Sequence, residues 1–212
     1  MEIHYFGDRD AKTVLVQMVD EHDMDFMESE VRLIRDLTGS DFLLVAVHCD
    51  SWNDDLSPWK APAVFGSSGF GDGAGRTLQF LTEKVIEPLK DRVFYLGGYS
   101  LSGLFALWAA YNSDAFEGVA AVSPSVWFPG FTDFCGKSAI RTKKVYLSLG
   151  DKEEKTRNAV MAKVGDAIRD IHGLLEEKGC RYVLEWNSGN HFQEPDKRTA
   201  RGFSWLLKHN QE

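Results

Sequence analysis

The chain has 212 residues, 43% of them hydrophobic and 26% charged, with a formal net charge of −8; this is the composition of an ordinary globule, long enough to bury a full core in one domain, 1–212. The acidic balance argues against nucleic acid and anionic membrane surfaces, which attract basic patches, and no apolar run has the length of a membrane span. Three scattered cysteines (Cys49, Cys135, Cys180) without CxxC spacing make a disulfide framework unexpected, and with no basic or apolar leader at Met1–Asp8 the expected location is cytoplasmic.

A short first strand is predicted over 2–6. Thr13 to Val19 is a nearly continuous apolar run, which suits a strand buried on both faces of a sheet. Asp20, Glu21 and Asp23 surround His22 in the loop that follows. Met27, Val31, Ile34 and Leu37 at helical spacing predict a helix over 24–37, stopped by Gly39, and 42–47 is the next buried strand. From His48 to Arg76 the pattern breaks into a long loop rich in Gly, Ser and Pro, with Trp52, Trp59, Phe65 and Phe70; a loop of that size and aromatic content reads as a pocket wall. Its Gly69-Phe70-Gly71-Asp72-Gly73-Ala74 stretch follows a loop instead of a strand and lacks the Gly-Lys-Ser/Thr of a phosphate loop, so no nucleotide cofactor is expected.

A helix over 77–89 precedes the apolar run Val93-Phe94-Tyr95-Leu96, which ends in Gly97-Gly98-Tyr99-Ser100-Leu101-Ser102-Gly103 and passes into a second apolar helix. The strand 118–123 opens into Pro124-Ser125-Val126-Trp127, and the stretch before the strand 144–149 is too short for a large helical lid, so substrate pockets must come from loops. Thr156 is expected to cap a long helix with Val160, Val164, Ile168, Ile171 and Leu175 facing inward, stopped by Gly179. The strand 182–186 leads into Asn187-Ser188-Gly189-Asn190-His191-Phe192, and a last helix starts at Pro195, with Phe203, Leu206 and Leu207 apolar. Strands alternating with helices give a three-layer α/β fold, a mostly parallel sheet covered by helices on both faces, whose ligands bind at the strands' carboxyl ends.

The strand, glycines, serine and helix around Ser100 form the pattern of a nucleophile elbow, in which a strained turn exposes a serine hydroxyl. Ser102 stands where the second glycine of that pattern usually falls; a small residue there still lets strand and helix approach. The plainer reading of Ser100 is a helix N-cap. A serine nucleophile needs a base, and the base needs a carboxylate that fixes its tautomer. Of the histidines after Ser100, His172 falls inside a helix and His209 near the terminus, whereas His191 sits on the loop after the last strand. The acid belongs after the strand ending at Leu149, where Glu153 is preferred over Asp151 and Glu154, although acidic residues ahead of a helix also favour its dipole. For the oxyanion, backbone donors are expected at Leu101 and around Glu21. Trp52, Trp59, Ser125 and Trp127 are candidate pocket residues. Asp20, His22, His48 and Asp50 have no metal-binding spacing, so no metal is expected.

Gly98-Tyr99-Ser100-Leu101-Ser102-Gly103, Ser123-Pro124-Ser125-Val126-Trp127, Leu149-Gly150-Asp151-Lys152-Glu153-Glu154 and Gly189-Asn190-His191-Phe192, with the stretch from Gly71 through Leu89, resemble esterases of the α/β-hydrolase superfamily. The branch is the one that includes enterochelin (siderophore) esterases and S-formylglutathione hydrolase-like enzymes. The resemblance implies a serine carboxylesterase with Ser100 as nucleophile, His191 as base, an acid within Asp151–Glu154, and Ser125 and Trp127 in the pocket. The expectation is hydrolysis of a small or soluble ester through an acyl-enzyme. Thioester hydrolysis or acyl transfer at the same residues, or a ligand-binding protein that has kept the fold without turnover, are the alternatives.

Overall fold

The computed structural model describes residues 1–64 and 66–208; Phe65 and His209, both named above, lie outside them. Its elements in chain order are β1 (Glu2–Gly7), β2 (Thr13–Val19), α1 (Glu21–Met24), α2 (Met27–Thr38), β3 (Leu43–His48), α3 (Trp52–Asp55), α4 (Ala74–Leu81), β4 (Val93–Tyr99), α5 (Leu101–Asn112), β5 (Gly118–Val122), α6 (Phe131–Lys137), β6 (Lys144–Gly150), α7 (Val164–Glu176), β7 (Arg181–Asn187) and α8 (Pro195–Lys208). The strands form one sheet in the order β1-β3-β2-β4-β5-β6-β7, parallel except for β1, which runs antiparallel to β3.

Because side chains alternate across a strand, each apolar run serves two cores at once. Val14, Val16, Leu96, Val119 and Leu147 point to the layer holding α4, α5 and α7. Leu15, Leu44, Tyr95, Ala120 and Tyr146 point to the layer of α2 and α8, where Met27, Ile34, Phe203 and Leu206 meet them. Helix α5 is buried at nearly every position, which is why its sequence is apolar all round. Among the described residues no helix is long and apolar enough to cross a membrane.

Several expected boundaries move, each for a local reason. The predicted helix over 24–37 is split. The Asp23 N–H donates to Asp20 Oδ1 at 2.8 Å and the Asp20 N–H to Asp23 Oδ2 at 3.2 Å, a reciprocal capping box that starts the single turn α1 at Glu21, and α2 begins separately at Met27. Leu37, expected on the inward face of α2, is 42% exposed. Helix α4 starts at Ala74 and continues as a π turn (Thr82–Ile86) and a 3-10 turn (Glu87–Leu89). Thr156 does not cap α7. It ends the 3-10 turn Glu153–Lys155, while Asn158 Oδ1 accepts the N–H groups of Val160 and Met161 and opens the turn Met161–Lys163 that leads into α7. Val160 is consequently turned outward, not into the core. The only helix between β5 and β6 is the seven-residue α6.

The carboxyl ends of β4, β5, β6 and β7, four adjacent strands, therefore deliver Ser100, the segment from Ser123 to Trp127, Glu153 and His191 to one edge of the sheet.

Candidate active site

Ser100 has φ +57° and ψ −119°, a conformation that L-residues avoid, and its side chain makes no capping bond to α5. The surrounding glycines explain how the chain reaches that conformation. A Cβ on Gly98 would lie 1.8 Å from Ser102 Oγ, and one on Gly103 would lie 2.9 Å from the Gly98 carbonyl and 3.0 Å from that of Val122. The close approach of helix to strands thus belongs to Gly103. Ser102 is more than a small substitute for glycine, because its hydroxyl donates to the Met18 carbonyl at 2.9 Å and ties the first turn of α5 to β2.

The Ser100 hydroxyl instead faces His191, with Oγ 3.0 Å from Nε2, and His191 Nδ1 lies 2.7 Å from Glu153 Oε2. Of the three competing carboxylates, Glu153 is the one brought to His191. Asp151 accepts the Gly189 N–H at 2.8 Å and braces the histidine loop against the end of β6, and Glu154 pairs with Arg169 at 2.9 Å.

Glu153 is almost fully enclosed. Its Oε1 accepts the Ser123 hydroxyl and the Gly150 N–H, each at 2.7 Å, and lies 3.2 Å from Arg198 Nη1. Burial pushes its carboxyl up, but hydrogen bonds from His191, Ser123 and the Gly150 backbone, with the charge of His191, outweigh burial and hold it below the ordinary range. Arg198, 1% exposed, also donates to Tyr99 Oη at 3.1 Å and to the Ser188 carbonyl at 2.9 Å. The Tyr99 hydroxyl donates to the His191 carbonyl at 2.8 Å, so both the ring and the backbone of His191 are held. Arg198 and Tyr99 do not figure in the sequence expectations. A signal for Arg198 exists: it lies four and eight residues before Gly202 and Leu206, on the buried stripe of α8, where a charge requires a buried partner.

Two chambers meet at His191. The larger, about 520 Å³, is lined by Ser100, Leu101, Ser125, Trp52, Phe70 and Trp127. The smaller, about 260 Å³, includes Ser123, Glu153, Lys152, Lys155 and Asn190. Trp127, Thr156, Met161, His191 and Phe192 border both. Trp59 lines neither chamber, contrary to expectation. Its indole N–H donates to the Pro129 carbonyl at 2.9 Å and its ring packs on Phe128 and Phe134, so it props the wall from behind, Phe128 in turn meeting Phe70. Ser125 Oγ is 3.4 Å from Ser100 Oγ.

Glu21 is the first residue of α1, just beyond β2, the neighbour of β4; it is exposed and lines neither chamber. The flanking Asp20 and Asp23 carboxylates are turned onto the backbone of their own turn. Asp50 takes the Met1 ammonium at 2.6 Å, and among the described residues no group of three or more His, Cys, Asp or Glu side chains is arranged to hold a metal ion.

An open, mostly parallel seven-stranded sheet between two helical layers, with an elbow serine at the carboxyl edge, is the α/β-hydrolase fold. Siderophore hydrolase EstB from Aspergillus nidulans is similar with a TM-score of 0.74 and 18% identity, over 99% of this chain and 90% of that one. A carboxylesterase of Bacillus cereus gives a TM-score of 0.65 at 14% identity, over 98% and 94%. In sequence the chain is 21% identical over 189 residues to the uncharacterized protein YbbA of Bacillus subtilis strain 168, covering 80% of this chain and 75% of that protein. No family model matches the chain. At 18% and 14% identity these structural likenesses are likenesses of fold.

Proposed function

We propose that this protein is a serine hydrolase that cleaves a carboxylic ester through an acyl-enzyme. The observation that carries the reading is the relay from Ser100 Oγ to His191 Nε2 (3.0 Å) and from His191 Nδ1 to Glu153 Oε2 (2.7 Å) at the carboxyl edge of the sheet. Ser100 attacks the ester carbonyl while His191 takes its proton. The tetrahedral oxyanion is received by the Leu101 N–H at the start of α5, with the loop beyond β2, where Glu21 stands, as the side from which a second donor comes. His191 returns the proton to the leaving alcohol, and water, activated by the same imidazole, releases the acyl group as an acid. Glu153 keeps Nδ1 protonated and stabilises the imidazolium. The open chambers and the absence of a helical lid among the described residues favour a small or soluble ester.

A fluorophosphonate probe is expected to label Ser100, and Ser100→Ala should abolish both labelling and turnover of an activated ester such as a p-nitrophenyl ester, a loss of about 10⁴-fold or more. Folded wild-type protein that neither labels nor turns over any activated ester would show that the fold serves binding instead.

A further inference from the structure

The stretch Asp151-Lys152-Glu153-Glu154-Lys155 reads as acidic, yet its carboxylates are all engaged elsewhere. Asp151 is held by the Gly189 N–H, Glu153 by His191 and Arg198, and Glu154 by Arg169. Beside Glu153, the stretch contributes to the smaller chamber Lys152 and Lys155, both exposed and, among the described residues, with ammonium groups that have no hydrogen-bond or ion-pair partner. Asn190 also lines the chamber, and with its Oδ1 taken by the Phe192 N–H at 2.9 Å, its side chain offers the amide NH2 as a donor. The one carboxylate in the lining, Glu153, is neutralised by Arg198. A chain of net charge −8 has thus placed two lysines and an asparagine around a chamber beside its serine whose other walls, Pro124, Trp127, Met161, Val164 and Phe192, are apolar. The larger chamber has no lysine, arginine or carboxylate in its lining and is walled by Trp52, Phe70 and the shared Trp127.

The relay orients the two chambers. Ser100 and Leu101 line the larger one, so the acyl carbon and its substituent belong there. His191, which must protonate the leaving oxygen, borders both, and the smaller chamber holds no part of Ser100. We infer that the substrate is an ester joining an apolar acyl group of about aromatic size to an alcohol that carries a carboxylate. The acyl group occupies the aromatic chamber, and the carboxylate lies among Lys152, Lys155 and Asn190. Ser100 then displaces a hydroxy-carboxylate whose alkoxide takes the proton from His191, and water releases the apolar acid. This inference rests on the serine-hydrolase reading.

The test compares phenylacetyl esters of 3-hydroxypropionate, of 3-hydroxypropionamide and of choline, a set in which the distal group is anionic, neutral or cationic on the same two-carbon spacer. Two solvent-facing ammonium groups acting as point charges should give kcat/KM for the carboxylate about tenfold above the amide, and the choline ester should fall below both; added salt should narrow the spread. In K152Q/K155Q the carboxylate and amide esters should turn over alike, whereas K90Q, at the opposite end of β4, should keep the preference. Equal rates for carboxylate and amide in the wild type, or a preference for choline, would overturn the inference. If the amide ester is still hydrolysed and Ser100 still labels, the serine-hydrolase reading survives that result; if no ester is turned over and Ser100 stays unlabelled, both fall.

Discussion

The two halves of the site are built by opposite rules. On the inner side, Glu153, Arg198, Ser123 and Tyr99 are buried or half-buried, and each makes hydrogen bonds that constrain the others. On the outer side, Lys152, Lys155 and Phe192 are exposed, Phe192 to 87%, and the two lysines have no side-chain partners among the described residues. A general base must hold its geometry to fractions of an ångström, and buried polar groups that satisfy one another supply that rigidity. A rim that admits and releases a small molecule has no such requirement. The difference predicts that inner substitutions damage folding and rate together, whereas outer ones change only how substrate is chosen.

The strongest way to break the comparison is to separate the buried pair. Glu153→Gln and Arg198→Met each strand a buried partner, and each should cost about 3–5 kcal/mol of stability, read by urea unfolding. Glu153→Gln should also lower kcat by about 10³–10⁴-fold, because His191 loses the acceptor that fixes its tautomer. Arg198→Met leaves Glu153 bonded to His191, so its rate should fall less than its stability. The double variant should be more stable than the sum of the single losses implies, since neither charge is then left alone. If the single variants unfold like the wild type, the inner half is not the rigid frame described.

Acid provides a milder probe of the same frame. The Glu153 carboxyl titrates in the folded protein below its ordinary value of 4.5, so its contribution to stability is present above that value and is lost as pH falls through the lower, folded one. Unfolding free energy of the wild type should decline in that acid window, and Glu153→Gln should decline less. Equal slopes would assign the acid sensitivity to other carboxylates.

The elbow offers a smaller effect with a built-in control. Gly98→Ala places a methyl group against Ser102 Oγ and should cost about 1–3 kcal/mol, and adding Ser102→Gly should recover part of it by clearing the hydroxyl and its Cβ. Smallest of all is Phe192→Ala, expected to change stability by less than about 0.5 kcal/mol while raising KM for an aromatic ester a few-fold. A large loss of stability there would mean that the rim belongs to the frame.

Much of the frame is legible in the sequence because it is periodic. The doubly buried strands announce themselves as continuous apolar runs, and the elbow as a strand, glycines and serine ahead of an apolar helix. That pattern marks Ser100, and a place on the loop after the last strand marks His191. What the sequence conceals are choices settled by side-chain direction. Asp151, Glu153 and Glu154 are chemically alike and close in sequence, and only the fold shows that Asp151 meets Gly189, Glu154 meets Arg169 and Glu153 meets His191. Trp52 and Trp59 lie on one loop, but one faces the chamber and the other props its wall. Composition points to Thr156 as a cap, yet the chain makes two 3-10 turns before α7, which no periodicity marks. Arg198 was visible as a charge on a buried stripe, although its partner lies 45 residues upstream.

Helix α8 follows every strand of the sheet in sequence, and it supplies both Arg198 and Phe203, whose ring rests against Gly97 of β4. A chain that has laid down all seven strands, through Asn187, therefore carries Ser100 and Glu153 but neither His191 nor the Arg198 cation that holds the Glu153 carboxylate in place. Backbone order and chemical competence are separate milestones for this molecule. Far-UV circular dichroism, which counts peptide geometry, reports the first; only the reactivity of Ser100 reports the second.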